Sequence, residues 1–235
     1  MVPDAAVGRI TTGIQTNTLV DQTVAFVRQQ LPLWRDDPKR KEETAEDRLN
    51  VQLCKYLDAC ARDIFPMVCF FHEEFQAGQR RVDLSALPKE SVVIDARQYT
   101  KYDPFLVIEG KRLPAPSHDR ETEYVTGKHR RSGGMQRFKL GLHGGGLSTS
   151  ILVGYVQAQS PQAWHHMINT WISDLAAGSS TDVCIWTPRE MLKPLAGDGA
   201  ICAAHCESTL IRLDESAIRL HHLWVVMGAR PKDKS

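Results

Sequence analysis

Hydrophobic residues recur at helical spacing in two segments of the N-terminal third of the chain. Within residues 17–31 an apolar side chain returns every three or four positions, which predicts an amphipathic helix. A charged stretch through Lys41 follows and is expected to be a solvated linker. Residues 43–64 again show helical spacing, and Glu46 lies on their apolar stripe, three residues before Leu49. We therefore expect Glu46 to face inward; the simpler alternative is an acid that stabilises the first turn through the helix dipole.

The rest of the chain changes to the two-residue alternation that is typical of strands. Strands are predicted at residues 66–75, 80–87, 92–96, 105–113, 148–159, 183–187, 200–213 and 218–227. Two further helices are predicted, one from Gly134 and one from Ser160. This order predicts an α/β fold with a central mixed β-sheet flanked by helices, an N-terminal helix and a C-terminal β extension. We expect one domain over residues 1–235, with its core at 43–176, an N-terminal helical extension at 1–42 and C-terminal strands at 177–235.

Composition narrows the class of protein only moderately. The chain has 235 residues, of which 42% are hydrophobic and 24% charged, as in ordinary soluble domains. Its apolar stretches are far shorter than the ~18 residues of a membrane span, and its first residues do not resemble a signal peptide. The six cysteines are scattered in apolar surroundings, which favours reduced thiols. We therefore predict a cytoplasmic protein without a membrane partner.

Charged residues interrupt one otherwise apolar strand. In residues 105–113, alternation places Glu109 and Lys111 on the same face of a mostly buried strand. Two such charges are costly to bury unless something compensates them, and a divalent cation with a phosphate would do so. The same spacing occurs at Asp37 and Lys39, but there it lies in a polar run with a proline. The alternative for Glu109 and Lys111 is a surface ion pair on an edge strand, without function.

A second carboxylate is available on a neighbouring strand. In the predicted hairpin, Asp83 shares a face with Arg81 and Ser85 and is the natural partner of Glu109. Asp95 is the rival for this role. It lies at the end of a short strand, near an apparent turn, where solvation readily explains an acid. We prefer Asp83, and the choice between Asp83 and Asp95 stays open at this point.

Basic residues concentrate directly after the Glu109 strand. The whole chain has a net charge of only +1, but residues 111–141 contain eight basic and three acidic residues. An excess of five positive charges beside the candidate strand suits a polyanionic substrate. Candidate nucleic-acid contacts in this segment are Lys128, Arg130 and Arg131. The alternative is an ordinary solvated face.

The order of these features resembles the core of the PD-(D/E)xK nuclease superfamily, also called restriction-endonuclease-like. The matching residues are Glu46, Asp83, Glu109 and Lys111, within residues 43–176. The runs 109–113, 124–125, 134–138 and 154–156 are similar to stand-alone bacterial nucleases that are often tied to phage defence. Val82 stands where the family motif has proline, and Gly110 replaces a bulkier residue.

The resemblance implies a role for each matching side chain. Asp83 and Glu109 would bind Mg²⁺ or Mn²⁺, with the Gly110 carbonyl completing the site. Lys111 would hold the attacking water or stabilise charge on the phosphoryl oxygens, and Glu46 would act at longer range through a water. Gln136 and Arg137 would contact the phosphate backbone; the alternative for both is the polar face of an amphipathic helix.

These expectations favour a metal-dependent endonuclease that acts on DNA more than on RNA, in bacterial defence. A non-catalytic subunit with the same fold, binding nucleic acid or a partner protein, is the second hypothesis. A third is a dimeric resolvase of branched DNA. The chain has no phosphate-binding loop of the G-x-x-x-x-G-K-[ST] type, so a partner helicase or ATPase is expected if translocation is needed, and a homodimer is also considered.

Overall fold

A six-stranded mixed β-sheet carries the fold, with helices on both faces. The computed structural model describes residues 18–76, 80–179, 181–196 and 202–228. The strands are β1 (Val68–Phe75), β2 (Arg81–Pro88), β3 (Val92–Ile94), β4 (Arg97–Tyr99), β5 (Leu106–Leu113), β6 (Thr149–Val156), β7 (Ala203–Ile211) and β8 (Ala217–Val226). The α-helices are α1 (Thr18–Asp36), α2 (Glu46–Ile64), α3 (Gly134–Lys139) and α4 (Pro161–Ala176).

The sheet is antiparallel at both edges and parallel at its centre. Its strand order is β1-β2-β5-β6-β8-β7, and β3 pairs only with β4 in a separate small hairpin. The pairs β1–β2, β2–β5 and β7–β8 are antiparallel, whereas β5–β6 and β6–β8 are parallel. The predicted α/β class with a central mixed sheet is therefore confirmed. The two C-terminal strands extend this same sheet, and β5 has an antiparallel neighbour on one side and a parallel neighbour on the other.

Helices cover the sheet on opposite sides of β5. The added Cβ of an alanine at Gly110 would meet Asn50 of α2, whereas one at Gly134 of α3 would meet the Lys111 side chain. Successive residues of β5 therefore face α2 and α3 in turn, as strand geometry requires. α1 packs on α2 and β8, and α4 adjoins the 3₁₀ segment His118–Tyr124 near α3. β6 is buried at every position, which matches its apolar run from Ile151 to Val156.

The first helix is longer than predicted. We expected a charged linker from residue 32, but α1 continues to Asp36 and contains Pro32. Trp34 is almost fully buried and continues the apolar stripe beyond Leu31. The free energy gained by burying Trp34 outweighs the cost of the helical hydrogen bond that Pro32 removes. The linker is thus only residues 37–45. No helix in the described part of the chain is long and apolar enough to cross a membrane.

Two predicted strands need correction. Residues 183–187 are not a strand, because Asp182 accepts hydrogen bonds from the Val183 and Cys184 amides and from Trp186 Nε1, which folds the segment locally. The strand predicted at 92–96 ends at Ile94. Asp95 and the next residue have positive φ angles of 49° and 60° and form the turn to β4.

Candidate active site

Strand β5 loses one neighbour in the middle of its length. Its antiparallel pairing with β2 ends at Ile108, whereas its parallel pairing with β6 continues to Leu113. On the vacated side, the Gly110 N–H donates to Asp83 Oδ2 at 2.8 Å and the Arg112 N–H donates to Glu46 Oε2 at 3.0 Å. Two carboxylates thus take the hydrogen bonds that a neighbouring strand would otherwise accept.

Gly110 is required at this position for a steric reason. A Cβ there would lie 2.0 Å from Asn50 Oδ1 and 2.9 Å from the Tyr155 ring. These two side chains are themselves joined, since the Tyr155 hydroxyl donates to Asn50 Oδ1 at 2.7 Å. The pair fills the space beneath the strand and leaves no room for a side chain at position 110.

Glu109 is the centre of the site and is completely buried. Its Oε1 lies 3.2 Å from Lys111 Nζ and also accepts from Arg137 Nη1. Its Oε2 lies 3.0 Å from His143 Nδ1, with which it forms an ion pair when the imidazole is protonated. Burial acts to raise the pKa of Glu109, but Lys111, His143 and Arg137 outweigh it and lower the pKa. The carboxylate is therefore ionised, and basic side chains face both of its oxygens.

Lys111 bridges two acids. Its Nζ donates to Glu46 Oε1 at 2.7 Å, and only 5% of the residue is exposed. Burial acts to lower its pKa, but Glu109 and Glu46 outweigh burial and raise it. Lys111 is therefore a charged ammonium. Glu46 lies at the first position of α2, which explains how a helical acid reaches the end of a strand.

Asp83 stands beside Glu109 with the opposite shift. It is partly exposed at the surface but surrounded closely by protein, and burial followed by repulsion from Glu109 raises its pKa to about 8. Asp95, the rival, lies in the turn of the small hairpin and its Oδ2 accepts from the Ser148 hydroxyl. Of these two acids, only Asp83 lies in the cluster around Glu109.

The residues present fit a hard divalent cation that is held by few protein ligands. Among the described residues no group of three or more His, Cys, Asp and Glu side chains is arranged to hold a metal ion. Mg²⁺, however, is commonly bound by one or two carboxylates, with waters and substrate phosphate as its other ligands. Glu109 and Asp83 are adjacent carboxylates, and the repulsion between them favours a bound cation. In an extended strand the Gly110 carbonyl points to the same side as its N–H, toward Asp83.

The predicted nucleic-acid contacts divide into two groups. Lys128, Arg130 and Arg131 are exposed on and beside a short 3₁₀ helix, Lys128–Arg130. Gln136, in contrast, is fully buried. Its amide oxygen accepts from the Gly127 and Gly133 amides, and its amide nitrogen donates to the Lys128 carbonyl and to Asp182. The predicted contact of Gln136 with a phosphate backbone is therefore wrong for this conformation, because its amide shapes the loop instead.

Two further residues contact Glu109: Arg137, to which the sequence pattern gave another role, and His143, which it missed. Arg137 was assigned to the phosphate backbone, but its guanidinium contacts Glu109. His143 carries no recognisable signal, because it lies between an apolar residue and a glycine run in a loop. The loop returns it to β5 through packing of its ring edge on Phe138, a contact that no local period predicts.

Comparison of the chain with protein-family models, with curated proteins and with solved structures finds no match.

Proposed function

We propose that the protein is a Mg²⁺- or Mn²⁺-dependent endonuclease of the PD-(D/E)xK type that hydrolyses phosphodiester bonds of DNA. One observation carries the proposal: the fully buried Glu109 carboxylate lies beside Asp83, whose pKa is raised to about 8 by burial and by Glu109. Two adjacent carboxylates repel each other, and a hard divalent cation relieves that repulsion. Such a cation in turn suits a phosphodiester substrate.

Asp83 and Glu109 would hold the ion from neighbouring strands, and the Gly110 carbonyl points to the same side as Asp83. When bound, the ion would polarise the scissile phosphate and lower the pKa of a water. Ionisation of Asp83 would accompany binding, since a cation replaces the proton that burial and Glu109 favour. The ligands lie on two hydrogen-bonded strands, β2 and β5, rather than on loops.

Lys111 would hold the reacting water or stabilise the negative charge that grows on the phosphoryl oxygens. Its ammonium is compact, charged and close to Glu109, with 3.2 Å between Nζ and Oε1. Glu46 orients this ammonium and the strand together, because its two oxygens accept separately from Lys111 Nζ and the Arg112 N–H. Glu46 is in this sense a positioning residue.

The substrate side of the proposal is DNA in preference to RNA. The exposed Lys128, Arg130 and Arg131 supply positive charge on the segment that follows β5. A role in bacterial defence, a cytoplasmic location, a homodimer and a partner helicase or ATPase stay predictions from the sequence.

A second candidate has its own supporting observation. Glu109 is already paired with Lys111 and Arg137, so the cluster is close to neutral without a metal. The same fold could then serve as a non-catalytic subunit that binds nucleic acid or a partner protein.

A panel of substrates tests the proposal. Linear duplex, single-stranded DNA, a four-way junction and RNA are incubated with Mg²⁺, Mn²⁺ or EDTA. We expect cleavage of DNA with either metal and none with EDTA. Glu109→Gln should lower the cleavage rate by on the order of 10³-fold, because a catalytic ion supplies several kcal/mol of transition-state stabilisation.

Glu207→Gln is the matched control, since Glu207 lies on the edge strand β7 in a partly exposed pair with Lys193. This variant should cut like the wild type. A protein that cleaves nothing in the panel, or a Glu109→Gln variant with full activity, would contradict the nuclease proposal and favour the non-catalytic subunit.

A further inference from the structure

Arg137 is the cation of the site that is least committed to the protein. It lies in α3 and its Nη1 contacts Glu109 Oε1, while 23% of its side chain remains exposed. Its Nε is buried without a hydrogen-bond partner. Lys111, in contrast, is nearly buried and shared between Glu46 and Glu109. A guanidinium has five N–H donors in a planar fork, so Arg137 has donors to spare.

Arg137 contacts Oε1 of the carboxylate that would hold the ion. A divalent cation bound to Glu109 would lie close to the positive guanidinium, and like charges at such range repel. A phosphate anion beside the ion would give the guanidinium a negative partner in place of Glu109.

The fork of Arg137 suits that phosphate. Arginine binds phosphate oxygens through two parallel N–H groups, which a lysine cannot do. The side chain already reaches the protein surface, so rotation of its own torsions can carry the guanidinium from Glu109 to a ligand.

We propose that Arg137 exchanges partners during substrate binding: it pairs with Glu109 in the free protein and with a phosphodiester once a metal ion occupies Asp83 and Glu109. The inference rests on the proposed nuclease function and deepens it. Metal and nucleic acid then bind cooperatively, because each favours the position of Arg137 that the other requires. The free protein binds metal weakly and is thereby kept from indiscriminate cleavage.

Calorimetric titration of Mn²⁺ tests the exchange without measuring activity. Without nucleic acid, Arg137→Met should bind Mn²⁺ about 10-fold more tightly than the wild type, a size typical of coupled sites. Arg62→Met, which removes an exposed charge from the last turn of α2, should change this affinity by less than about 2-fold, since exposed charges are screened. A duplex with phosphorothioate linkages, resistant to hydrolysis, should then tighten Mn²⁺ binding to the wild type by about 10-fold and to Arg137→Met much less.

Arg137→Lys keeps the charge and guards against misfolding of the methionine variant. It should bind Mn²⁺ like the wild type without nucleic acid but gain less from the phosphorothioate duplex, because the fork is lost. Equal Mn²⁺ affinity of Arg137→Met and wild type, or an undiminished gain with the duplex, would overturn the exchange. Glu109→Gln separates the two proposals: if it leaves Mn²⁺ binding unchanged, the metal site and the nuclease proposal fail together; if it removes binding that Arg137→Met does not alter, only the exchange fails.

Discussion

The short helix α3 contributes to two buried ion clusters, which differ in how completely their polar atoms are hydrogen-bonded. Lys139 reaches Glu190, whose Oε1 also accepts from the Ile211 amide at 2.9 Å and whose Oε2 accepts from the Thr187 amide at 2.8 Å. Lys139 also donates to the Ile211 carbonyl at 2.8 Å and lies over the Trp186 ring. Two residues earlier on the same helix, Arg137 reaches Glu109, and there Arg137 Nε is buried without a hydrogen-bond partner.

The difference shows how a buried charge that only stabilises the fold can be told from one that serves a function. A buried polar group without a partner is costly, so a fold that only needed an internal ion pair would complete it, as it does at Lys139 and Glu190. The Glu109 cluster is left incomplete, and its Arg137 side chain stays 23% exposed whereas that of Lys139 is 3% exposed. The proposed metal ion and its substrate would supply the missing contacts.

The largest effect is expected at the completed pair. Lys139→Met leaves the Glu190 charge buried without its cation and should lower the free energy of unfolding by about 3–5 kcal/mol. Urea unfolding measures the change. The exposed pair of Lys193 and Glu207 provides the control, because Lys193→Met should cost less than about 1 kcal/mol. A small loss for Lys139→Met would mean that the Lys139 pair does not contribute as its contacts indicate.

Metal binding should raise the free energy of unfolding through the Glu109 cluster and not through the pair of Lys139 and Glu190. Mn²⁺ at 100 times its dissociation constant should raise the free energy of unfolding of the wild type by about 2.7 kcal/mol. The gain should disappear in Glu109→Gln and persist in Glu207→Gln, as thermal unfolding at increasing Mn²⁺ would reveal. An unfolding curve of the wild type that Mn²⁺ does not move would remove the difference between the two clusters.

The pH dependence of the metal-free protein gives the smallest effect. The pKa of Asp83 is raised from 3.8 to about 8, so the folded state binds this proton more tightly than the unfolded chain does. Protonation of Asp83 therefore stabilises the fold fully below about pH 4, and that stabilisation is lost as the pH rises through about 8.

Asp83→Asn carries no titrating carboxyl and isolates this contribution. In EDTA, the variant should become more stable than the wild type as the pH rises from 4 to 8, by roughly 1–3 kcal/mol, a value reduced for the partial exposure of Asp83. Unfolding by urea at several pH values measures the difference. Parallel stability curves for the two proteins would show that Asp83 titrates normally.

Local periodicity was sufficient to predict the strand and helix positions that present Glu46, Asp83, Glu109 and Lys111. The faces of a strand or helix follow from the sequence itself, and register then brings β2 beside β5. Periodicity could not predict that Asp182 would fold residues 183–187 into a turn, because the alternating Val183 and Ile185 there are exposed and pack on no sheet. A local hydrogen-bond acceptor decided the outcome.

Contacts between distant loops were beyond the reach of the same reasoning. Arg137, His143 and Glu190 come to their partners over 28, 34 and 51 positions of the chain. These approaches depend on where a glycine turns the chain, such as Gly141 with a φ of 66°. Gln136 was misassigned for the same reason, since nothing in the helical pattern indicates that the preceding loop wraps around its amide.

Two main-chain donors set the directions of the outer carboxylates. The Gly110 and Arg112 amides bond to Asp83 and Glu46, and an amide N–H is common to every residue except proline. Exchange of the Arg112 side chain therefore leaves its donor in place, and ordinary mutagenesis cannot remove either bond alone. Semisynthesis can, because replacing residue 110 or 112 by its α-hydroxy acid turns the amide into an ester and deletes one N–H while every side chain stays. The effect of each hydrogen bond on the position of a carboxylate can then be measured separately from the effect of removing the carboxylate itself.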